Sequence, residues 1–297
     1  MTPDTTSRRG AAAGEVRTVT SCPNPARLRE KRAKKSAPPF RSGGNVPKQR
    51  HTRRPSAILS SPFVRSLRKR LAQLLRRERR LHVPEIRGDE FAARIAEIAR
   101  NPRVRTILEV GSAAGEGSTE AFVAGIERNP SRPTLFCLEA RRDRFEALAA
   151  RYADRPFVRP YHASSVGRSG FASVEHVRSF YEITPTALNR YPLERVLGWL
   201  QEDLRTLAEL DVEEDGIELI RREHGIDRFD VVLLDGSEFT AAAELDLVHG
   251  ARYVLLDDIN SFKNHLNCQR LLTDPAYSLL AGNAKLRNGY AIFERAG

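Results

Sequence analysis

Acidic side chains follow two apolar runs in the second half of the chain, where buried strands would end. Asp235 follows the run Val231–Leu234, and Asp257 and Asp258 follow the run Tyr253–Leu256. Adjacent strands of a sheet lie about 4.8 Å apart, so these carboxylates converge if the two strands are parallel neighbours. Three such carboxylates repel one another unless they are protonated, bonded to donors or bridged by a cation. Hard oxygen ligands of this kind suit Mg²⁺ or Ca²⁺.

Two basic side chains follow the second acidic position. Lys263 and His265 belong to the same predicted edge of the sheet, and a histidine, with an ordinary pKa of about 6.5, can take a proton from a hydroxyl. Asp235, Lys263 and His265 are therefore candidate catalytic residues. The simpler alternatives are that Asp235 binds a substrate directly, that Asp257 and Asp258 cap the following helix, and that His265 is an exposed loop residue.

A turn rich in small residues lies earlier in the chain, from Glu109 to Gly115, directly after the apolar run Thr106–Val110. A buried strand that leads through such a turn into a helix places backbone N–H groups where open α/β sheets bind ligands. The glycines have the spacing GxxxGxG, unlike the GxGxxG of hydride-cofactor sites. The acid before the first glycine would repel a pyrophosphate but suits a cofactor that carries an ammonium and a sulfonium. A purely structural turn is the alternative.

This turn resembles motif I of class I S-adenosylmethionine-dependent methyltransferases, E/D-x-G-x-G-x-G. Glu109, Gly111 and Gly115 match the motif, and Ala113 stands where the middle glycine is usual. The resemblance implies that S-adenosylmethionine is the cofactor. It also implies that Glu109, Gly111, Ser112, Ala113 and Gly115 contribute to the cofactor site.

An acid also ends the second predicted strand. Glu139 lies 28 positions after the first glycine of the turn, where Rossmann-type proteins hold the ribose hydroxyls. The methyltransferase resemblance gives Glu139 this ribose role; the alternative is a solvated acid that pairs with Arg141 or Arg142. After the third strand no acid is in place to contact adenine, and Ser164 or Ser165 takes that position in our interpretation.

The acids at the later strands are similar to the divalent-metal site of catechol-type and sugar-modifying O-methyltransferases. This resemblance implies that Asp235, Asp257 and Asp258 bind Mg²⁺, with Asn260 as a fourth ligand. Such a metal lowers the pKa of a substrate hydroxyl and orients its oxygen toward the methyl group.

Short apolar runs alternate with helical stretches from residue 84 onward, which is typical of an α/β fold. The predicted class is a Rossmann-like, mostly parallel sheet flanked by helices, with an antiparallel C-terminal hairpin. A helical insertion is expected over about residues 166–228, as a substrate lid or a structural cap. The predicted strands are Thr106–Val110, Thr134–Leu138, Phe157–Tyr161, Asp230–Leu234, Arg252–Leu256, Tyr277–Leu280 and Tyr290–Glu294.

The N-terminal part differs sharply in charge from the rest. Residues 1–80 contain 22 of the 49 Lys and Arg residues and 4 of the 38 Asp and Glu residues, a net charge of +18. Residues 1–62 lack the apolar surface to offset the entropy of ordering, which predicts a disordered basic tail. The tail is interpreted as a basic arm for nucleic acid or anionic lipid, as a transit peptide, or as translated sequence ahead of a natural start such as Val64.

Residues 63–81 have apolar positions at helical spacing with many arginines between them, which predicts a basic amphipathic helix. Residues 63–80 of this helix could lie on an anionic membrane surface, or the helix could pack its leucine stripe on the domain. The remaining chain carries a net charge of −7, so we expect no nucleic-acid binding by the folded domain. Three scattered cysteines and the lack of a secretory signal favour a cytoplasmic protein, peripheral to the membrane if the helix binds lipid.

The stretch from Phe229 to Glu294 also looks like uncharacterised methyltransferase-like proteins of bacterial glycan gene clusters. The predicted function is therefore S-adenosylmethionine-dependent O-methylation of a sugar or another hydroxylated small molecule, with a small molecule or glycan as acceptor. Two alternatives stay open: a metal-dependent enzyme that modifies nucleotide sugars, and a non-catalytic adaptor on a membrane surface. S-adenosylhomocysteine binding discriminates between them, because only the methyltransferase predicts it.

Overall fold

The computed structural model describes residues 86–210 and 212–296. The predictions for the basic tail and for the amphipathic helix at 63–81 concern residues outside these ranges. Among the described residues, no helix is both long enough and apolar enough to span a membrane.

Seven strands form one sheet. They are β1 (Thr106–Val110), β2 (Thr134–Glu139), β3 (Val158–His162), β4 (Val231–Leu234), β5 (Tyr253–Asp257), β6 (Tyr277–Asn283) and β7 (Tyr290–Arg295). Their order is β3-β2-β1-β4-β5-β7-β6. The first five strands are parallel, and β7 runs antiparallel between β5 and β6. The predicted Rossmann-like fold, including its antiparallel C-terminal hairpin, is confirmed.

Eight α-helices accompany the sheet in the described part of the chain. They are α1 (Glu90–Ala99), α2 (Ser118–Ile126), α3 (Arg142–Arg151), α4 (Val174–Ile183), α5 (Leu193–Glu209), α6 (Gly216–His224), α7 (Ala241–Val248) and α8 (His265–Thr273). Asp89 caps the N-terminus of α1: its carboxylate accepts a hydrogen bond from the backbone N–H of Ala92 at 2.9 Å.

The central strands are buried on both faces, which explains their uninterrupted apolar sequences. All four residues of β4 and all five residues of β5 are buried. Alternate residues of each strand enter two different cores: Ile107 of β1 packs with α1 and α2, whereas Leu108 packs with α6 and α7. A sheet covered on both faces leaves its carboxyl edge as the accessible place for a ligand site.

The predicted insertion divides into two parts. Val177 and Phe180 of α4 and Leu200 of α5 form a separate core with two phenylalanines from the loops after β4 and β5, Phe239 and Phe262. We call residues 166–210 the helical cap. The last helix of the predicted insertion, α6, packs on the sheet with β1 and β2 instead. The cap therefore covers the carboxyl edge, while α6 is the crossover helix that leads into β4.

Candidate functional site

The turn after β1 is held between the ends of two neighbouring strands. The backbone N–H groups of Gly111 and Ser112 both donate to the carbonyl of Leu138 at the end of β2, each at 3.1 Å. Gly111 has a φ of +87°, and a Cβ there would lie 2.2 Å from the carbonyl oxygen of Asp235 at the end of β4. Only glycine fits this position, so the turn contacts β2 and β4 at once.

The rest of the turn follows the path of a glycine-rich loop although one glycine is replaced. Ala113, at the position of the usual middle glycine, has a φ of +47°, which is left-handed backbone. Gly115 has a φ of +77°, and a Cβ there would lie 2.7 Å from side-chain atoms of Leu148 and Tyr152. The Tyr152 hydroxyl also donates to the Gly115 carbonyl at 2.6 Å. The turn thus adopts left-handed backbone at Gly111, Ala113 and Gly115.

Glu109 lies beneath the turn rather than in the cleft. Its side chain is fully buried, and one carboxylate oxygen accepts a hydrogen bond from the Thr119 hydroxyl at 2.7 Å. Its other oxygen, Oε1, is buried without a hydrogen-bond partner among the described residues. Burial raises the pKa of Glu109, and hydroxyls including that of Ser118 partly offset this effect. Glu109 supports the first turn of α2, which differs from its predicted place beside the cofactor's charged group.

Glu139 ends β2 at the wall of a cleft, as the ribose assignment requires. Its side chain is largely buried, and Oε1 accepts a hydrogen bond from the backbone N–H of Arg141 at 2.8 Å. Burial raises the pKa of Glu139, while the backbone N–H groups of Arg141 and Ala113 and the charge of Arg144 lower it in part. The carboxylate still has free acceptor sites, since it offers about four lone pairs.

The cleft has a volume of about 350 Å³ and lies between the sheet edge and the helical cap. The strand side contributes Val110, Gly111, Leu138, Glu139, Ala163, Ser164, Asp235 and Ser237, and the cap contributes Phe171, Glu202, Asp203, Thr206, Leu207 and Leu210. The Ser237 hydroxyl donates to the Asp203 carboxylate at 2.6 Å. This bond connects the cap to the loop after β4.

A buried carboxyl, Glu244 of α7, stands behind the far end of the cleft. Oε1 of Glu244 accepts hydrogen bonds from the hydroxyls of Ser165 at 2.6 Å and Thr240 at 2.7 Å. Burial raises its pKa, and these two hydroxyls counteract the rise in part. The predicted adenine contact, Ser164, lines the cleft and donates its hydroxyl to the Val166 carbonyl at 2.7 Å. The sequence offers no signal for Glu244, because an acid in the first turn of a helix is ordinary.

The structure brings together the three acids of the second predicted site. Asp235, Asp257 and Asp258 each offer a carboxylate oxygen within 4.8 Å of the others. They line a second cavity of about 310 Å³, together with Lys263 and the turn from Gly111 to Ser118. Gly111 and Asp235 belong to the walls of both cavities. The acids and the cleft therefore form one continuous site at the carboxyl edge.

Two cations and an amide hold these carboxylates. Lys263 Nζ lies 2.8 Å from Asp235 and 2.7 Å from Asp258. Arg287 donates to Asp257 at 2.6 Å, and the Asn288 amide donates to Asp258 at 3.0 Å. None of these partners of the acids except Lys263 was predicted. Arg287 and Asn288 follow the acids by 30 residues, and sequence spacing carries no signal over that distance.

These contacts set the ionisation of the cluster. Burial raises the pKa of Asp257 to about 7, aided by the nearby charges of Asp235 and Asp258. Burial also acts on Asp258, but the ammonium of Lys263 brings its pKa below the ordinary value. Burial alone lowers the pKa of Lys263, yet the carboxylates of Asp235 and Asp258 raise it well above its ordinary value. Lys263 is therefore a permanent cation within the cluster.

The predicted Mg²⁺ site does not fit this arrangement. A divalent ion needs several free oxygen ligands around one point, and the point between Asp235 and Asp258 is taken by the Lys263 ammonium. Nδ2 of Asn260, the predicted fourth ligand, donates to the Ala284 carbonyl at 2.7 Å. Each of the three acids thus accepts at least one hydrogen bond from a donor of the protein.

His265 lies apart from both cavities. It begins α8, where its ring lies 5.6 Å from the ring of Phe180 in the helical cap. Its Nε2 lies 2.9 Å from the side-chain amide of Gln269. His265 is not among the residues that line the cleft or the acidic cavity. The structure therefore unites Asp235 and Lys263 of the predicted catalytic residues but does not bring His265 to them.

No family model matches the chain, and no curated protein matches its sequence. Among solved structures it is similar to a methyltransferase from Geobacter sulfurreducens (13% identity, TM-score 0.43, 76% of this chain and 86% of the other). It is also similar to an O-methyltransferase from Bacillus cereus in complex with SAH (12% identity, TM-score 0.43, 76% of this chain and 90% of the other). A third similar structure is an O-methyltransferase of tomaymycin synthesis from Streptomyces achromogenes (15% identity, TM-score 0.41, 74% of this chain and 86% of the other). Similarities at this level assign no function.

Proposed function

We propose that the protein is an S-adenosylmethionine-dependent methyltransferase that acts on an oxygen of a hydroxylated small molecule, such as a sugar or another polyol. One observation carries the proposal: Gly111 of the turn, the Glu139 carboxylate and the Asp235 carboxylate border a single cleft. A cofactor in this cleft has an acid for its ribose at one side and an acid for the reacting group at the other.

The residues of the cleft suit this cofactor. Gly111 lines the cleft with its backbone alone, so a ligand there meets the main chain of the turn. Glu139 would accept hydrogen bonds from ribose hydroxyls, and Ser164 would lie near the base. Asp235, Asp257 and Asp258 give the adjoining cavity a negative lining, which favours a ligand with a net positive charge.

The same cavity supports a polyol as the acceptor. Its walls carry three carboxylates and the Lys263 ammonium. Carboxylates accept hydrogen bonds from hydroxyls, and such charge-assisted bonds are stronger than those between neutral groups. An apolar acceptor would remove water from these charged groups and offer their remaining acceptor sites no hydrogen bond in return.

Asp235 is the residue that we assign to proton transfer. It borders both cavities, and burial raises its pKa, which makes it a stronger base. Lys263 holds Oδ1, while Oδ2 takes part in none of the hydrogen bonds among the described residues. When bound, the cofactor supplies a methyl group on sulfonium, so a C–O bond forms as the C–S bond breaks and its electron pair goes to sulfur. Asp235 accepts the proton of the attacking hydroxyl.

Calorimetric titration of the full chain with S-adenosylhomocysteine tests the proposal. We expect wild-type binding, and a loss of about ten- to a hundredfold in affinity for Glu139→Ala, because bonds to a charged group contribute about 1.5–3 kcal/mol. Glu146→Ala, which removes an exposed carboxylate from α3, serves as the control and should bind like wild type. Asp235→Asn should retain binding but lose methyl transfer to polyol acceptors.

Wild-type protein that binds neither S-adenosylmethionine nor S-adenosylhomocysteine would refute the methyltransferase. If the same protein bound anionic vesicles, the adaptor function would be favoured instead. Binding of the cofactor together with transfer to an acceptor that lacks hydroxyls would retain the enzyme class and contradict the acceptor class.

A further inference from the structure

The ammonium of Lys263 stands at the point of the acidic cluster where a bridging cation would act. Its Nζ lies 2.8 Å from Oδ1 of Asp235 and 2.7 Å from Oδ2 of Asp258, and its side chain is only 10% exposed. The two carboxylates follow different strands, β4 and β5. A single charge thus joins the ends of two neighbouring strands, which is the task of a divalent ion in a site of this shape.

The chain around Lys263 is anchored on the same two strands. The buried amide of Asn264 donates to the carbonyls of Leu234 at 3.0 Å and Asp257 at 2.7 Å, the last residues of β4 and β5. The backbone N–H of Lys263 donates to the Glu238 carboxylate at 3.2 Å. These bonds fix the position from which the lysine side chain extends, so the ammonium is a built part of the cluster rather than a flexible surface group.

The third acid has a cation of its own. Asp257 is 3% exposed and accepts a hydrogen bond from Arg287 at 2.6 Å. A divalent ion added here would meet the charges of Lys263 and Arg287 at short range, and these already offset two of the three negative charges of the acids. All three acids also accept hydrogen bonds from protein donors, with which the ion would compete.

We propose that Lys263 is an internal cation that takes the place of a divalent metal. The acidic cluster then binds no divalent metal and supports methyl transfer without one. The statement about catalysis rests on the proposed methyltransferase function; the statement about metal binding does not. Lys263 bridges Asp235 and Asp258, offsets one of their two negative charges and holds them beside the cleft, and it thereby acts as a positioning residue.

Titration with Mn²⁺, followed by the electron paramagnetic resonance signal of the free ion, tests metal binding directly. The full-length wild-type protein should not reduce the free-ion signal at Mn²⁺ concentrations up to the millimolar range. Lys263→Ala should gain Mn²⁺ binding that is at least about tenfold tighter, because it leaves two carboxylates without their cation. The double variant Lys263→Ala/Asp235→Asn should lose this binding again.

Lys285→Ala is the matched control, because Lys285 is the other lysine of the described chain and is exposed in the loop between β6 and β7. It should behave like wild type. Stoichiometric Mn²⁺ binding by wild type that is abolished by Asp235→Asn would overturn the proposal, and so would a folded Lys263→Ala that gains no binding. Circular dichroism establishes whether Lys263→Ala folds; if it does not, the wild-type titration alone decides.

A parallel titration of wild type with S-adenosylhomocysteine separates the two proposals. Failure to bind this ligand refutes the methyltransferase but leaves the Mn²⁺ result standing. If methyl transfer is observed, it should proceed at the same rate in EDTA as in Mg²⁺, and a loss of activity in EDTA would contradict the internal cation.

Discussion

At the scale of single residues, the buried Glu244 carboxyl makes the stability of the fold depend on pH. Its pKa is raised by burial above the ordinary value of 4.5. A raised pKa means that the folded protein holds the proton more tightly than the unfolded chain. The stability that this carboxyl contributes is therefore complete below about pH 4.5 and is lost as the pH rises through the folded-state pKa.

Glu244→Gln should remove this dependence, because glutamine does not titrate and its carbonyl can still accept from a hydroxyl. We expect the free energy of unfolding of the variant, relative to wild type, to increase as the pH rises from about 4.5 toward neutrality. Urea unfolding over a pH series measures it, with Glu146→Gln as the exposed control. A difference between Glu244→Gln and wild type that is constant across the series would contradict the prediction.

Some site residues were predictable because each is marked by its position after an apolar run. Glu139, Asp235, Asp257 and Asp258 follow strands, and strand ends of a parallel sheet meet at one edge. Lys263 was predicted to be near this edge, but its pairing with two acids depends on the path of the loop that Asn264 anchors. Such a path is a tertiary property, and local sequence does not specify it.

At the scale of elements, the helical cap is held to the loops after β4 and β5 by its phenylalanine core, by backbone hydrogen bonds from Ala172 and Ala187, and by the side-chain hydrogen bond between Ser237 and Asp203. Ser237→Ala would leave the Asp203 carboxylate of α5 without its donor in a half-buried position. An unsatisfied buried acceptor costs about 1–3 kcal/mol, so amide exchange in α5 should accelerate by about tenfold. Hydrogen exchange followed by mass spectrometry, resolved to the peptides of α4 and α5, measures the effect.

Asp203→Asn is the matched control for the cap, because its amide oxygen can still accept the Ser237 hydroxyl. It should keep the protection of wild type. Equal acceleration in both variants would mean that the charge of Asp203, rather than the hydrogen bond, holds the cap.

The elements themselves were largely predictable, and their boundaries agree with the predicted strands within one to three residues. Alternation of short apolar runs with helical stretches predicted the parallel sheet. The division of the insertion was not predictable. Ile217 and Ile220 of α6, three residues apart, mark one helix face just as Val196 and Leu200 of α5 do, four residues apart. Such spacing does not reveal which core a helix enters.

At the scale of the whole domain, Arg287 ties together its first helix, its central sheet and its last hairpin. The guanidinium, in the loop between β6 and β7, pairs with Asp89 at the N-cap of α1 and with Asp257 at the end of β5. Its side chain is only 13% exposed. Asp89 and Arg287 lie 198 residues apart, so this contact closes the domain from end to end.

Arg287→Met should destabilise the domain by about 3–5 kcal/mol, because two carboxylates that are little exposed would lose their shared cation. Chemical denaturation at neutral pH, with the midpoint and slope compared to wild type, measures the loss. Arg270→Met is the control: it removes a partner of Asp246 in an exposed pair, where the loss should be below about 1 kcal/mol. Similar losses in the two variants would contradict a structural role for the Arg287 contacts.

The close approach of Gly111 to the carbonyl of Asp235 has a mechanical consequence. Because a Cβ at position 111 would lie 2.2 Å from that oxygen, any larger residue there would force the turn and the end of β4 apart. Two segments separated by more than a hundred residues therefore keep their close contact only while position 111 is glycine. Since Gly111 and Asp235 border both cavities, one substitution at Gly111 would disturb the cleft and the acidic cavity together.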